Sequence, residues 1–165
     1  MASAASTSPS RPARLAVECR PAVTSEHVER HHRIRHQVFV EEQGLFTISD
    51  RDGYDGEDGV IKVLGLCDAR PAGTVRLFPL DPSGRLWQGD RLAVLPEFRA
   101  HGVGKPLVRF AVATAGALGG EKMLAHIQLP NVAFFEQLGW HRDGAVELYV
   151  GVAHQPMAIG LTLAT

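Results

Sequence analysis

The sequence predicts an α/β fold: a mixed, mostly antiparallel central sheet of about seven strands with flanking helices. Three observations point there. Short runs rich in β-formers alternate with two stretches of helical apolar periodicity, one around Val28 to Phe39 and one around Leu107 to Ala115. Strand-like runs between residues 60 and 95 are separated only by Gly and Pro turn signals, the pattern of antiparallel neighbours. A Gly-punctuated turn then joins one of these strands to the second periodic stretch.

Taken in order, residues 1–13 are almost wholly Ala, Ser, Pro, Thr and Arg, with no acid before Glu18. Such a composition cannot form a core, so residues 1–13 are expected to be a disordered tail and residues 14–165 the domain. Residues 15–19 form a first strand stopped by Pro21, and Thr24 or Ser25 caps a helix running to about Val40. Its inward face carries His31 or His32, Arg35, Val38 and Phe39, and a basic residue there is unusual for core alone. Residues 41–59 are a loop rich in Gly and Asp; Tyr54 at a ligand position and a misplaced Gly rule out a calcium-binding EF-hand.

Two strands, 60–66 and 74–80, are expected to form a hairpin through residues 68–73, whose Pro71 and Gly73 suit a turn. A fourth strand covers 86–95, interrupted near Gly89, and Pro96 ends it. A helix from Gly104 to about Leu118 tolerates Pro106 only in its first turn and stops at Gly119 and Gly120. A strand at 123–128, a short helix at 131–138 capped by Gly139, and two closing strands flanking residues 151–156 complete the order.

Composition narrows the function. Seventeen basic residues nearly cancel eighteen acidic ones, so no whole-molecule field is available to hold nucleic acid or a membrane surface. With no apolar run of the ~18 residues a membrane span requires, a cytoplasmic protein is expected. Cys19 and Cys67 have no Cys or His at ligand spacing and read as free thiols. His27, His31, His32 and His36 contain pairs spaced four apart, but none lies in an H-E-x-x-H pattern, so no metal is expected.

The chemistry concentrates in Arg99, Ala100, His101, Gly102, Val103, Gly104 and Lys105. A tight turn there delivers unpaired backbone N–H groups at a helix N-terminus, where the dipole favours an anion. Gly102 and Gly104 remove Cβ atoms that would keep a diphosphate away, and Arg99 and Lys105 add countercharge. Neither a Walker loop nor a G-x-G-x-x-G turn is present.

Arg99-x-x-Gly102-x-Gly104, following a V-x-P-x-F strand end, resembles the pyrophosphate motif of the GNAT acyltransferase superfamily. Asn131-Val132-Ala133-Phe134-Phe135-Glu136-Gln137-Leu138-Gly139-Trp140 is similar to that family's second signature, and the likeness covers roughly residues 14–163. It implies acetyl-CoA or another acyl-CoA as co-substrate, lying in a V between the fourth and fifth strands that a bulge splays. The backbone of Leu92, Ala93 and Val94 would bond the pantetheine, with Asn131 and Phe135 beside it. His101 would border the cofactor. Many members carry a Tyr where Phe135 stands. Phenylalanine cannot protonate the leaving thiolate, which must depart unaided or be met by Tyr149 or His141.

A second likeness covers the N-terminal half. Arg35-x-x-Val38-Phe39-Val40-Glu41-Glu42, Asp52, Asp55, residues 73–79 and Asp90-Arg91-Leu92-Ala93-Val94 look like the acyl-homoserine lactone synthases, a GNAT-like branch. It implies an acceptor pocket lined by Arg35, Phe39, Glu42, Arg76 and Asp90. Glu42 and Asp90 are the candidates to take the amine proton, Glu42 slightly preferred. The expected activity is transfer of an acetyl or other short acyl group to a small-molecule amine. Lactone-synthase-like acylation and a non-catalytic acyl-CoA-binding module are the alternatives, and an exposed edge in the closing strands suits a homodimer.

Overall fold

A computed structural model describes residues 15–161; the expected tail, 1–13, lies outside them. The strands are β1 (Val17–Pro21), β2 (Ile61–Cys67), β3 (Arg70–Pro79), β4 (Leu86–Val94), β5 (Lys122–Gln128), β6 (His141–Arg142), β7 (Glu147–Tyr149) and β8 (Val152–Gly160). The helices are α1 (Ser25–Arg35), α2 (Gly104–Ala117) and α3 (Val132–Gln137). All eight strands join one open, mostly antiparallel sheet in the order β1-β2-β3-β4-β5-β8-β6, with β7 also on β8. The β4–β5 pair is parallel.

Side-chain alternation assigns the two faces. A Cβ at Gly65 or Gly73 would stand 3.1 or 2.9 Å from the Leu107 side chain, so these glycines admit α2 against β2 and β3. Val75 and Leu77, two and four residues beyond Gly73, therefore face α2, whereas Thr74 and Arg76 face the other side. Arg76 shares Asp55 with Arg35 of α1, which puts α1 on that opposite face. Both faces of the central strands are thus covered, and β2 and β3 are almost continuously buried.

Four sequence expectations shift. The β2–β3 turn is only Asp68–Ala69, both at positive φ (51° and 64°), so Pro71 and Gly73 lie inside β3. Pro71 is tolerated because the ladder is irregular there, between Gly65 and Leu66. The kink in β4 falls at Arg91, φ 53°, and not at Gly89, which still pairs with Leu77. The helix that begins at α1 changes to a π-helix over His36–Glu42. The last turn is Val150–Gly151, so Pro156 sits within β8 opposite His126, and the closing segment supplies three strands instead of two.

Beneath α1 lies a charged layer. Arg35, fully buried, bonds Asp50 at 2.6 Å and Asp55 at 2.7 and 2.9 Å; Arg76, also fully buried, bonds Asp90 and Asp52. Arg91 bonds the Asp50 carboxylate and carbonyl. Burial alone would push the Asp55 carboxyl up, but Arg35 and Arg76 overrule it and hold it below the usual range. Removing one member would leave an uncompensated buried charge at a cost of about 3–5 kcal/mol.

Next to this layer His31 is fully buried, its Nδ1 2.9 Å from the Val63 carbonyl oxygen. Burial, reinforced by the charge of Arg35, lowers His31 to about 3 and His32 to about 4. The native state therefore keeps both neutral, while the unfolded chain takes up their protons near 6.5. Stability is full above that pH and is lost as pH falls toward the folded values. Asp52 and Asp55, both held low, weaken the fold only below about pH 4. Denaturant titrations should show stability falling between pH 6.5 and 5 by up to about 1.4 kcal/mol per unit for each histidine, with His31→Gln flattening the slope. A flat wild-type profile would contradict this origin.

Candidate active site

The β4–β5 ladder runs from Leu86↔Lys122 to Gln88↔Leu124 and stops. The cause is on the other edge of β4. There Asp90 pairs with Arg76 and Ala93 with Thr74, so Arg91 and Leu92 stand opposite Val75 alone. That extra residue bends β4 away from β5 and leaves a V. A cavity of about 320 Å³ fills it, lined along β4 by Gln88 to Leu92 and along β5 by Ala125 to Gln128.

Beyond β4 the chain makes a 3-10 turn over Pro96–His101, and Gly102 takes a left-handed conformation, φ 68°, before α2 starts at Gly104. No side chain caps α2, and Pro106 brings no N–H, so the first-turn amides of Gly104 and Lys105 lack intrahelical partners. A second cavity, about 290 Å³, opens there between Val94, Arg99, Gly102, Val103, Gly104, Lys105 and Phe134. Amides, helix dipole and Lys105 make it suited to an anion.

The structure brings many of the sequence-selected residues together. Leu92, Asn131, Phe135, Asp90, Tyr149 and Phe39 line the larger cavity, and Val94, Arg99, Gly102, Val103, Gly104 and Lys105 the smaller. Phe135 is buried edge-on against Phe134 and Trp140, an apolar wall and not a proton donor. Tyr149 stands edge-on to Phe46 and His154, and is the one of the two suggested acids at the cavity; His141 is exposed on β6.

Others are placed elsewhere. Arg35 and Arg76 are buried in the charged layer, with Arg76 presenting Asp52 and Asp90 to the cavity. Glu42 lies outside the cavity wall, paired with Arg99 at 2.7 and 2.5 Å, and the Arg99 hydrogen bonds hold its carboxyl below the usual range. Arg99 Nε also donates to the Val94 carbonyl at 3.1 Å. Ala93 pairs with Thr74, and Ala100 ends the exposed side of the 3-10 turn. The His101 ring accepts from the Leu15 amide instead of facing the anion cavity.

Several lining residues were not singled out in the sequence: Tyr54, Gln88, His126 and Glu147. His126 Nδ1 is 3.7 Å from Glu147, a contact between β5 and β7 that depends on both flanking β8. The alternation of β5, with Met123, Ala125 and Ile127 buried, does place His126 on the opposite face, which was a usable signal. Nothing local announces Glu147.

Gly104 discriminates a ligand site from a plain connection. A Cβ there would meet only Phe134, at an ordinary 3.6 Å, and its φ is not left-handed, so the fold tolerates a side chain. Calorimetry should show Gly104→Val weakening CoA binding at least about tenfold, while the melting temperature moves by less than about 4 °C. Unchanged affinity would remove the anion role from this turn.

Comparison with known proteins shows the family and the fold. Residues 21–140 match the model of the acetyltransferase (GNAT) family. A Bacillus subtilis (strain 168) protein with an inferred acetyltransferase assignment is 29% identical over 122 residues, 73% of this chain and 81% of that one. Escherichia coli ElaA superposes with a TM-score of 0.77 at 20% identity, over 87% of this chain and 99% of its own. A Pseudomonas aeruginosa acyl-CoA N-acyltransferase gives 0.74 at 22% over 87% and 98%. The CoA-dependent acyl-homoserine lactone synthase BjaI, solved with SAM and isopentyl-CoA, gives 0.69 at 20% over 89% and 83%. These structural likenesses speak to the fold, and the family match over most of the sequence shows that the chain belongs to the acetyltransferase (GNAT) family of enzymes.

Proposed function

We propose that the protein transfers an acyl group from acyl-CoA to the amine of a small molecule by direct attack within a ternary complex. The observation that carries this reading is that β4, whose pairing with β5 ends at Gln88, runs on through the 3-10 turn Pro96–His101 to the uncapped start of α2. A diphosphate held by the amides of Gly104 and Lys105 would send its pantetheine along the free edge of Leu92, Ala93 and Val94, pairing as an added strand does. The thioester then lies beside the bulge.

The acceptor is met on the α1 face. Four carboxylates, Asp50, Asp52, Asp55 and Asp90, surround three guanidinium groups, Arg35, Arg76 and Arg91, with Lys62 near Asp55, and carboxylate charge remains on the cavity side. Asp52, a third exposed, and Asp90 present that charge to the cavity. An ammonium is the complementary ligand.

To attack, the amine must lose a proton. Asp90 takes it, directly or through one water, because it lines the cavity next to the bulge while Glu42 is held outside by Arg99. The amine nitrogen bonds the thioester carbon, the C–S bond breaks, and the CoA thiolate leaves with a proton from Tyr149. Backbone N–H near Ala93 or Val94 would meet the oxyanion, the contribution that is usually largest.

Thiol release from acyl-CoA with a panel of amines tests the reading. Asp90→Asn should lower kcat by about 10²–10⁴-fold with CoA affinity retained, and Tyr149→Phe should lower kcat with KM little changed. Glu42→Gln should cost far less than Asp90→Asn. Equal losses in those two variants would return the proton to Glu42, and CoA binding without thiol release from any amine would leave a binding module.

A further inference from the structure

Resting on the acyl-CoA reading, we propose that the part of the cavity on the α2 face is a subsite for a saturated acyl chain longer than acetyl, of butyryl to hexanoyl size. The cavity does not stay on one side of the sheet. Asp52, Tyr54, Gln88, Asp90, His126 and Glu147 line it on the α1 face, together with the side chains of Phe39 and Phe46. It is lined equally by Val75, Val108, Ala111, Met123, Phe135 and Trp140.

These last residues belong to the opposite face. Val75 shares the side of β3 on which Gly73 meets Leu107 and Val103. Val108 and Ala111 are on the buried side of α2 itself. Gly89 pairs with Leu77, and a Cβ there would come 3.1 Å from Met123 Sδ, so Gly89 and Met123 are on that face too. The passage between the two sides is the gap that opens where the β4–β5 ladder ends.

The chemistry of the two ends differs. The α1 end carries carboxylates, amide and imidazole. Among the described residues, Val75, Val108, Ala111, Met123, Phe135 and Trp140 carry no titratable group, and Trp140 Nε1 is buried without a hydrogen-bond partner. Water gains little in such a space, whereas an aliphatic chain removes its whole surface from solvent there. Ala111 and Ala125, the smallest side chains of this wall, leave the width that a chain needs, while the space beside Gly89 is filled by Met123. A molecule reacting at the gap while spanning it must be polar toward α1 and apolar toward α2. A thioester whose carbonyl sits at the bulge, with its alkyl chain pointing to α2, has that shape.

The test is a calorimetric series with CoA, acetyl-, butyryl-, hexanoyl- and octanoyl-CoA, paired with kcat/KM for the same donors. Affinity should rise about fourfold per added methylene from acetyl to hexanoyl and level off at octanoyl. Ala111→Leu should cut the hexanoyl-to-acetyl ratio at least tenfold, and Val108→Ala should carry the rise on to octanoyl; if Ala111→Leu fails to fold, Val108→Ala decides. CoA binding that is flat or weaker with chain length overturns this subsite alone. A rise untouched by both variants places the chain elsewhere and also overturns it. No binding of CoA itself defeats the acyl-CoA reading together with the subsite.

Discussion

One extra residue in one strand organises this molecule. Arg91 and Leu92 are accommodated opposite Val75, and Arg91 does so at a φ of 53°, a conformation that costs a non-glycine residue about 1–3 kcal/mol. What offsets the strain is its own side chain. Its guanidinium donates to the Asp50 carbonyl at 2.8 and 3.3 Å and to the Asp50 carboxylate at 3.1 Å, in a nearly water-free setting. The bulge is therefore anchored from the far side, by a loop forty residues earlier in the chain.

That anchoring explains why so much charge is buried under α1. Arg35 fixes Asp50 and Asp55, Asp55 and Asp90 fix Arg76, and Asp52 is shared between Arg76 and Arg91. An apolar layer of the same volume would have been as stable or more so. It could not, however, hold a strand in a left-handed kink or turn two carboxylates toward a cleft. The network spends stability on geometry, and the acid sensitivity of buried His31 and His32 follows from the same burial.

A second set of contacts spans the V from the end of the π-helix. Glu42 reaches Arg99 beyond β4, and Gln43 accepts from Gln128 of β5 at 3.1 Å. The wide π turn, with Gln43 N bonding the Val38 carbonyl, swings these two side chains over the opening that the bulge creates. Arg99 is half exposed in this pair, so solvent screens the contact.

The sequence by itself determined most of the order of elements, the Gly-punctuated turn at Arg99 to Gly104 and the family resemblance, because each rests on local rules: periodicity, turn chemistry and short spacings. It also flagged Arg35 as unusual, since a charge among apolar positions is visible in one helix, and the lactone-synthase likeness pointed to Arg76 and Asp90. Their partners were not visible. Asp50 meets Arg35 and Arg91 across 15 and 41 residues, and Glu147 meets His126 across two strand pairings, separations no local pattern encodes. Tertiary structure alone moved the kink from Gly89 to Arg91, because the bulge is set by register against β3 and by Asp50, whereas glycine marks only where a kink would be easy. It alone also opened the sheet to both faces, since a gap between β4 and β5 exists only once each strand has found its other neighbour.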